Sequence, residues 1–235
     1  MPARTPHGDL AHGFRWAELL GLLALGVAIL LLWRVPYAEF VVYPFRLFAT
    51  FVHELAHGLA ALATGGNFVH FFVQPDLSGT AWSAGGMRWV VASAGYVGCA
   101  LAGNLLILLA ARGVSSRGVL IVLGLVLGLL CLLFVRNVFG VLCGALLSIA
   151  LIAAGWGLRA ALRDMLLLVL AVQLVLDGFN SLLDLLHLAG DASVHTDART
   201  MAEMSGVPAT LWALAWSALS LVMLLMTLRL AYRRA

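Results

Sequence analysis

The sequence contains no lysine, and charged residues make up only 11% of its 235 positions. Ordinary soluble domains carry about 25% charged residues, so this composition excludes that class. Hydrophobic residues account for 63% of the chain, and its mean hydropathy is +1.03. We therefore predict an integral membrane protein whose main surrounding is the lipid bilayer.

Cationic residues and cysteines are also sparse. Their distribution argues against two further classes of protein, those that bind nucleic acid and those held together by disulfide bonds. The positive charge behind the net +3 is arginine alone, and the arginines stand at the ends of apolar segments rather than on one face. We therefore expect no nucleic-acid partner. The three cysteines, Cys99, Cys131 and Cys143, lie inside apolar runs, which argues against a disulfide framework.

Long apolar segments dominate the chain and predict an all-α bundle of about seven transmembrane helices. We expect a polar tail, residues 1–15, without a cleavable signal sequence, followed by one membrane domain, residues 16–235. The predicted spans are 16–33, a second that starts near Pro36 or Pro44 and ends at Thr64, 89–111, 118–135, 137–158, 163–188 and 208–230.

The segment between the second and third spans has a different character. Residues 67–87 are rich in β-branched and aromatic side chains, and they surround a turn cluster, Pro75-Asp-Leu-Ser-Gly. This pattern predicts a short, membrane-associated β-hairpin-like loop, which is too polar to cross the bilayer.

The second span carries the most specific pattern in the chain, His53-Glu-Leu-Ala-His57. Ionisable groups in an apolar helix cost about 2.5–3.5 kcal/mol each at the bilayer centre, and they usually face a cavity, a partner or an ion. His53 and His57 are four residues apart, so a helix places both on one face, where two imidazoles can hold one Zn²⁺. Glu54 lies beside the pair and can act as the general base toward a water on the metal.

A catalytic zinc usually has three protein ligands, so the motif needs a partner. A third histidine six residues after His57 is excluded because that residue is Ala63, and Glu203 is the only glutamate that follows the motif. The sixth span supplies aspartates in a polar stripe: Asp177, Asn180, Ser181 and Asp184. Because two helical turns separate Asp177 from Asp184, we expect one to bind zinc and the other to orient a histidine ligand.

With these residues the chain resembles the site-2 protease family of intramembrane zinc metalloproteases, in particular its compact peptidase-like branch. The resemblance covers roughly residues 45–205. The matching stretches are the motif with Gly58, the loop after Gly65-Gly66, Ala94-Gly95 through Asn104, and Leu176-Asp177-Gly178. It implies that the two histidines and the aspartate of Leu-Asp-Gly bind zinc, and that Glu54 is the general base.

The resemblance also leaves the choice of aspartate open. Ser181-Leu-Leu-Asp184 and Thr196-Asp197-Ala198 are similar to the peptidase-like branch, which favours Asp184 and makes Asp197 a less favoured contributor. With seven spans, the second and sixth helices run in the same direction. The depth of Asp177 in its helix then matches the motif better than that of Asp184, so both stay candidates.

Together these features predict zinc-dependent proteolysis, within the membrane, of a transmembrane or membrane-anchored protein substrate. Asn104, Asn137 and Asn180 are candidates for binding the substrate, and we expect the protein in the cell membrane of a bacterium. Two alternatives use the same residues, a metal-binding membrane transporter and a catalytically inactive binding protein. A transporter needs polar residues along a path, whereas an inactive protein has no need of Glu54.

Overall fold

A computed structural model describes residues 15–35, 37–180 and 196–233. These residues are mostly helical and include one small sheet, which agrees with the predicted fold class. The described elements are α1 (Trp16–Leu32), α2 (Glu39–Ala63), β1 (Asn67–Val73), β2 (Gly79–Ala84), α3 (Arg88–Ala111), α4 (Ser116–Phe134), α5 (Val138–Gly157), α6 (Ala160–Asp177), α7 (Asp197–Ser205) and α8 (Ala209–Tyr232).

Four of the described helices are long and apolar enough to cross a membrane, namely α3, α4, α5 and α8. With 17 residues, α1 is shorter, although it is apolar. The His53–His57 motif makes α2 more polar, and α6 contains three charged residues, Arg163, Asp164 and Asp177. The chain is thus an integral membrane protein, whereas the predicted number of about seven spans is not confirmed.

The second predicted span corresponds to α2, which begins at Glu39 and ends at Ala63. Pro44 lies inside this helix rather than at its start. Pro44 is the sixth residue of α2, beyond the N-terminal N–H groups that have no intrahelical partner, so it removes one backbone hydrogen bond of the helix. α2 packs against α3, and the Nδ1–H of His57 donates to the carbonyl of Val91 on that helix.

The sixth predicted span ends earlier than expected in the described chain. α6 stops at Asp177, and Gly178 is its C-cap residue. Asp177 is therefore at the end of its helix, one turn beyond the buried Gln173. The last part of the predicted span, residues 181–188, which includes Ser181 and Asp184, lies outside the described residues.

The predicted hairpin is present as the antiparallel pair β1–β2. Alternate residues of β1 face the protein, and both Phe71 and Val73 are fully buried, as the period of two in a half-buried strand requires. Phe68 lies over Gly58 of α2, at a position where a Cβ would collide with the phenyl ring. The hairpin therefore packs closely on the helix that carries the motif.

The outer edge of β1 is occupied by the segment between α4 and α5. Arg136 donates its backbone N–H to the carbonyl of Phe71 at 3.3 Å. The amide of Asn137 pairs with Val73 in both directions, donating to its carbonyl at 2.6 Å and accepting from its N–H at 3.2 Å. Among the described residues, the edge of the sheet that has no backbone hydrogen-bond partner is therefore that of β2.

The short helix α7 is fixed by a separate apolar cluster. Ala198 and Met201 of α7 pack against Ala92 and Tyr96 of α3 and against Trp216 of α8. At its start, the Thr196 side chain accepts a hydrogen bond from the backbone N–H of Arg199 at 3.3 Å. This N-cap and the cluster together set the position of the first residue of the helix, Asp197.

Candidate metal centre

The two motif histidines are close together on the inner face of α2. Their ring centroids are 4.9 Å apart. His57 is buried, and its Nδ1–H donates to the carbonyl of Val91 at 2.7 Å. Because Nδ1 carries the proton, Nε2 of the neutral ring has a free lone pair. A backbone carbonyl that accepts from Nδ1–H commonly orients a histidine ligand in this way.

The carboxylate of Asp197 lies close to the Nε2 atoms of both histidines. Its Oδ2 lies 3.1 Å from Nε2 of His53 and 3.3 Å from Nε2 of His57. The three ligand atoms are within 4.8 Å of one another and form a group that could hold a metal ion. Burial raises the pKa of Asp197. When the histidines are protonated, the charge of His57 and the hydrogen bonds that both rings donate lower this pKa by more, so the net result is a pKa well below the usual value.

Asp177 contacts the opposite edge of the His53 ring. Its Oδ2 is 3.3 Å from Nδ1 of His53, so the imidazole is held between two carboxylates. Cys99 joins Asp177 and His53 in a second group of ligand-type atoms within 4.8 Å. A carboxylate at Nδ1 fixes the tautomer and the ring orientation of a histidine that binds metal through Nε2.

The donor set at the Nε2 edges fits zinc. Two imidazole nitrogens and one carboxylate oxygen converge there, which matches catalytic zinc sites that keep a fourth position open. Gly95 of α3 provides the space, because a Cβ at this position would collide with Nε2 of His53. On a neighbouring side, Tyr96 packs edge-on against His53 with a centroid distance of 4.6 Å.

Glu54 lies beside the histidines and is buried, with 6% of its surface exposed. The hairpin covers it, and a Cβ added at Gly79 would collide with its carboxylate oxygen. Glu54 also lines a cavity of about 990 Å³, together with both histidines, Asp177 and Asp197. The β2 residues Gly79, Thr80, Ala81 and Ser83 form part of the cavity wall. A carboxylate, a metal-type donor set and a strand edge therefore share one cavity.

The family of the chain follows from a comparison with protein-family models. The model described as Peptidase M50B-like matches residues 22–227. The chain belongs to this family, a site-2 protease family. No curated protein and no solved structure gives a match. The Peptidase M50 family consists of zinc metalloproteases and indicates proteolysis within the membrane.

Three sequence-predicted site residues of this Peptidase M50B-like chain lie together around the cavity: His53, Glu54 and His57. Asp177 is also there, but at the Nδ1 edge of His53 and not at the Nε2 edges. Asp184, the other candidate ligand, lies outside the described residues. Asp197 has the position at the Nε2 edges that the sequence led us to expect for Asp177 or Asp184.

The three predicted substrate-binding asparagines have different surroundings. Asn180 lines the cavity. Asn104 is buried in α3, where its Nδ2 donates to the carbonyl of Ala100 at 2.8 Å, and it does not line the cavity. Asn137 uses its amide to hold Val73 of β1. By position, only Asn180 is available to a molecule in this cavity.

Proposed function

We propose that the protein is a zinc-dependent endopeptidase that cleaves transmembrane or membrane-anchored protein substrates within the membrane. The observation that carries this proposal is the convergence of His53, His57 and Asp197, with Glu54 beside them in a cavity bordered by a free strand edge. The family supports the same reaction class.

In this proposal His53 and His57 bind zinc through Nε2, and Asp197 is the third ligand. Asp177 and the carbonyl of Val91 accept hydrogen bonds from the Nδ1–H groups and keep the two rings in their binding orientation. Bound zinc supplies a Lewis acid that polarises a carbonyl group and lowers the pKa of water.

Glu54 is the proposed general base. Its carboxylate accepts a proton from the attacking water and then gives it to the leaving amine, so that the peptide bond is hydrolysed with no net change in the enzyme. The hairpin above Glu54 keeps bulk solvent away from this carboxylate. Proton transfer of this kind contributes about 10²–10⁴-fold to a rate.

The outer edge of β2 is the proposed docking place for the segment to be cleaved. A transmembrane helix uses its backbone groups internally, so it must unwind before a carbonyl can react. Within the described chain, no backbone hydrogen bond from another segment occupies the outer edge of β2. An unwound segment can therefore add to the sheet as a further strand along the cavity.

The test uses purified protein in vesicles with a reporter transmembrane helix. We expect Glu54→Gln to keep its zinc and to lose cleavage, and His57→Ala to lose both. Cleavage by Glu54→Gln at the parent rate contradicts the proposed base. A zinc-loaded parent that cleaves no membrane substrate but transports metal ions across the vesicle membrane supports the transporter instead.

A further inference from the structure

Arg46 places a cation at one end of the cavity that contains the motif. It lines this cavity together with Thr50, His53 and His57. These residues are spaced at i, i+4, i+7 and i+11, so they form one face of α2. The Thr50 hydroxyl contacts the carbonyl of Leu77 at 3.0 Å, which fixes the hairpin turn next to this end of the helix.

The guanidinium of Arg46 is held in position, and no described residue is its anionic partner. Its Cζ lies 5.2 Å from the centroid of the Trp33 ring, a cation–π contact. In the described part of the chain, no carboxylate forms an ion pair with Arg46. A guanidinium has five N–H donors, so this half-buried group is well suited to binding a carboxylate from another molecule.

Asp76 does not supply the missing negative charge. It lies in the hairpin turn and also lines the cavity. Its Oδ1 accepts hydrogen bonds from the backbone N–H of Ser78 at 2.9 Å and from the Ser78 hydroxyl at 2.6 Å. The carboxylate is therefore engaged in shaping the turn, and no contact within 4.0 Å joins it to Arg46.

The centre of the cavity has the opposite charge character. Glu54, Asp177 and Asp197 are all there, whereas Arg46 lies seven residues before His53 on α2. Seven to eight helical residues correspond to about 11 Å along the axis. An extended peptide covers this distance with about three residues, since each residue advances about 3.3 Å.

We propose that Arg46 forms a specificity subsite that binds an acidic side chain of the protein substrate, about three residues from the bond that is cleaved. This inference rests on the proposed function. A Glu or Asp at that distance faces a guanidinium that forms no ion pair among the described residues. An acidic residue at the cleaved bond faces three carboxylates, whose negative charge exceeds the positive charge of a bound Zn²⁺. The charges along the cavity therefore favour a substrate with its negative charge at the Arg46 end.

The experiment measures kcat and KM for reporter transmembrane helices that differ at one position. Glu, Gln or Arg is placed two, three or four residues from the cleaved bond, on either side. We expect the parent protein to prefer Glu over Gln at one of these positions by about tenfold to 100-fold in kcat/KM, as for a charge-assisted hydrogen bond. The preference should disappear in Arg46→Gln, and Arg46→Glu should prefer the Arg substrate.

Arg88→Gln is the matched control, because Arg88 also lines the cavity but is exposed. An equal loss of preference in Arg46→Gln and Arg88→Gln means general charge attraction and overturns the subsite. If Arg46→Gln lowers kcat/KM equally for all substrates, and the decrease depends on anionic phospholipid in the vesicles, Arg46 binds lipid. That result also overturns the subsite. If Arg46 variants do not fold, the substrate series on the parent decides: equal cleavage of Glu and Gln substrates overturns the proposal.

These outcomes are distinct from failure of the proposed function. If the zinc-loaded parent cleaves no reporter of any sequence, the endopeptidase itself is refuted. If it cleaves all reporters at the same rate, the endopeptidase stands and the subsite falls. Zinc content, measured for every variant, should not change in Arg46→Gln because Arg46 forms no hydrogen bond or ion pair with the described candidate ligands His53, His57, Asp177 and Asp197.

Discussion

The carboxylate of Asp197 lies 3.1 Å from Nε2 of His53, although 144 positions separate the two residues in the sequence. Asp177 lies at the other edge of the same ring, 3.3 Å from Nδ1. The two aspartates therefore have different relations to a metal at Nε2. One can bind it directly, and the other can act only through the orientation and basicity of His53.

This difference predicts different effects of two equivalent substitutions. Asp197→Asn should remove most of the bound zinc, because the charged ligand at both Nε2 atoms is lost. Asp177→Asn should keep zinc at saturation but weaken its affinity by about 10–100-fold, as for other groups that orient a ligand. Metal analysis and competition with a chelator measure both effects. The reverse pattern, with zinc lost only in Asp177→Asn, would show that Asp177 is the ligand.

The sequence predicts the residues of the motif better than it predicts the third candidate ligand, Asp197. His53, Glu54 and His57 are neighbours on one helical face, so their spacing alone predicts that they act together. Asp197 is brought to them by the packing of Met201 and Ala198 against α3 and α8. In the sequence, the similarity of Thr196-Asp197-Ala198 to the peptidase-like branch is the signal that points to it, and spacing alone does not predict its position. The periodicity argument instead linked residues within one span, and it therefore favoured Asp177 and Asp184.

The structure confirms the predicted hairpin and also shows a contact of it that the sequence does not predict. Alternating β-branched and aromatic residues around a turn predict the two strands. Asn137, which we expected at the substrate, is instead hydrogen-bonded to Val73. Its sequence context, a polar residue at a junction between two apolar segments, is compatible with either role, and only the packing distinguishes them.

Gly95 should be essential for metal binding although it carries no ligand. A methyl group at this position collides with Nε2 of His53, so Gly95→Ala should displace the ring and lower the zinc content. Gly118→Ala is the matched control, because it is also in a helix but has no heavy atom within 4 Å of the added Cβ. There the change should be neutral or stabilising by up to about 1 kcal/mol, the usual helix preference for Ala. Equal zinc content in the two variants would contradict the role of Gly95.

Gly79 should affect catalysis separately from metal binding. A Cβ at this position collides with the carboxylate of Glu54, while the histidines and Asp197 are not among its nearest neighbours. We expect Gly79→Ala to keep its zinc and to lose about 10²-fold or more in kcat, the scale of a displaced general base. Val69→Ala, at an exposed residue of the same hairpin that does not line the cavity, should leave both quantities unchanged. Loss of zinc in Gly79→Ala would mean that the hairpin supports the metal ligands rather than Glu54.

Asn137 should act on the substrate through the hairpin and not by contact. Asn137→Ala leaves both the N–H and the carbonyl of the buried Val73 without their partner, at a cost of about 1–3 kcal/mol for an unsatisfied buried group. The outer edge of β1 should then open, which hydrogen exchange at residues 71–73 detects as lost protection. Because β1 positions β2, cleavage should fall in parallel while zinc content stays constant.

The matched control is Val138→Ala, a change at the adjacent, exposed residue. It should alter neither the hydrogen-exchange protection of β1 nor the rate of cleavage. If Asn137→Ala slows cleavage with full protection of β1, the amide contacts the substrate directly, and its hydrogen bonds with Val73 are not its main role.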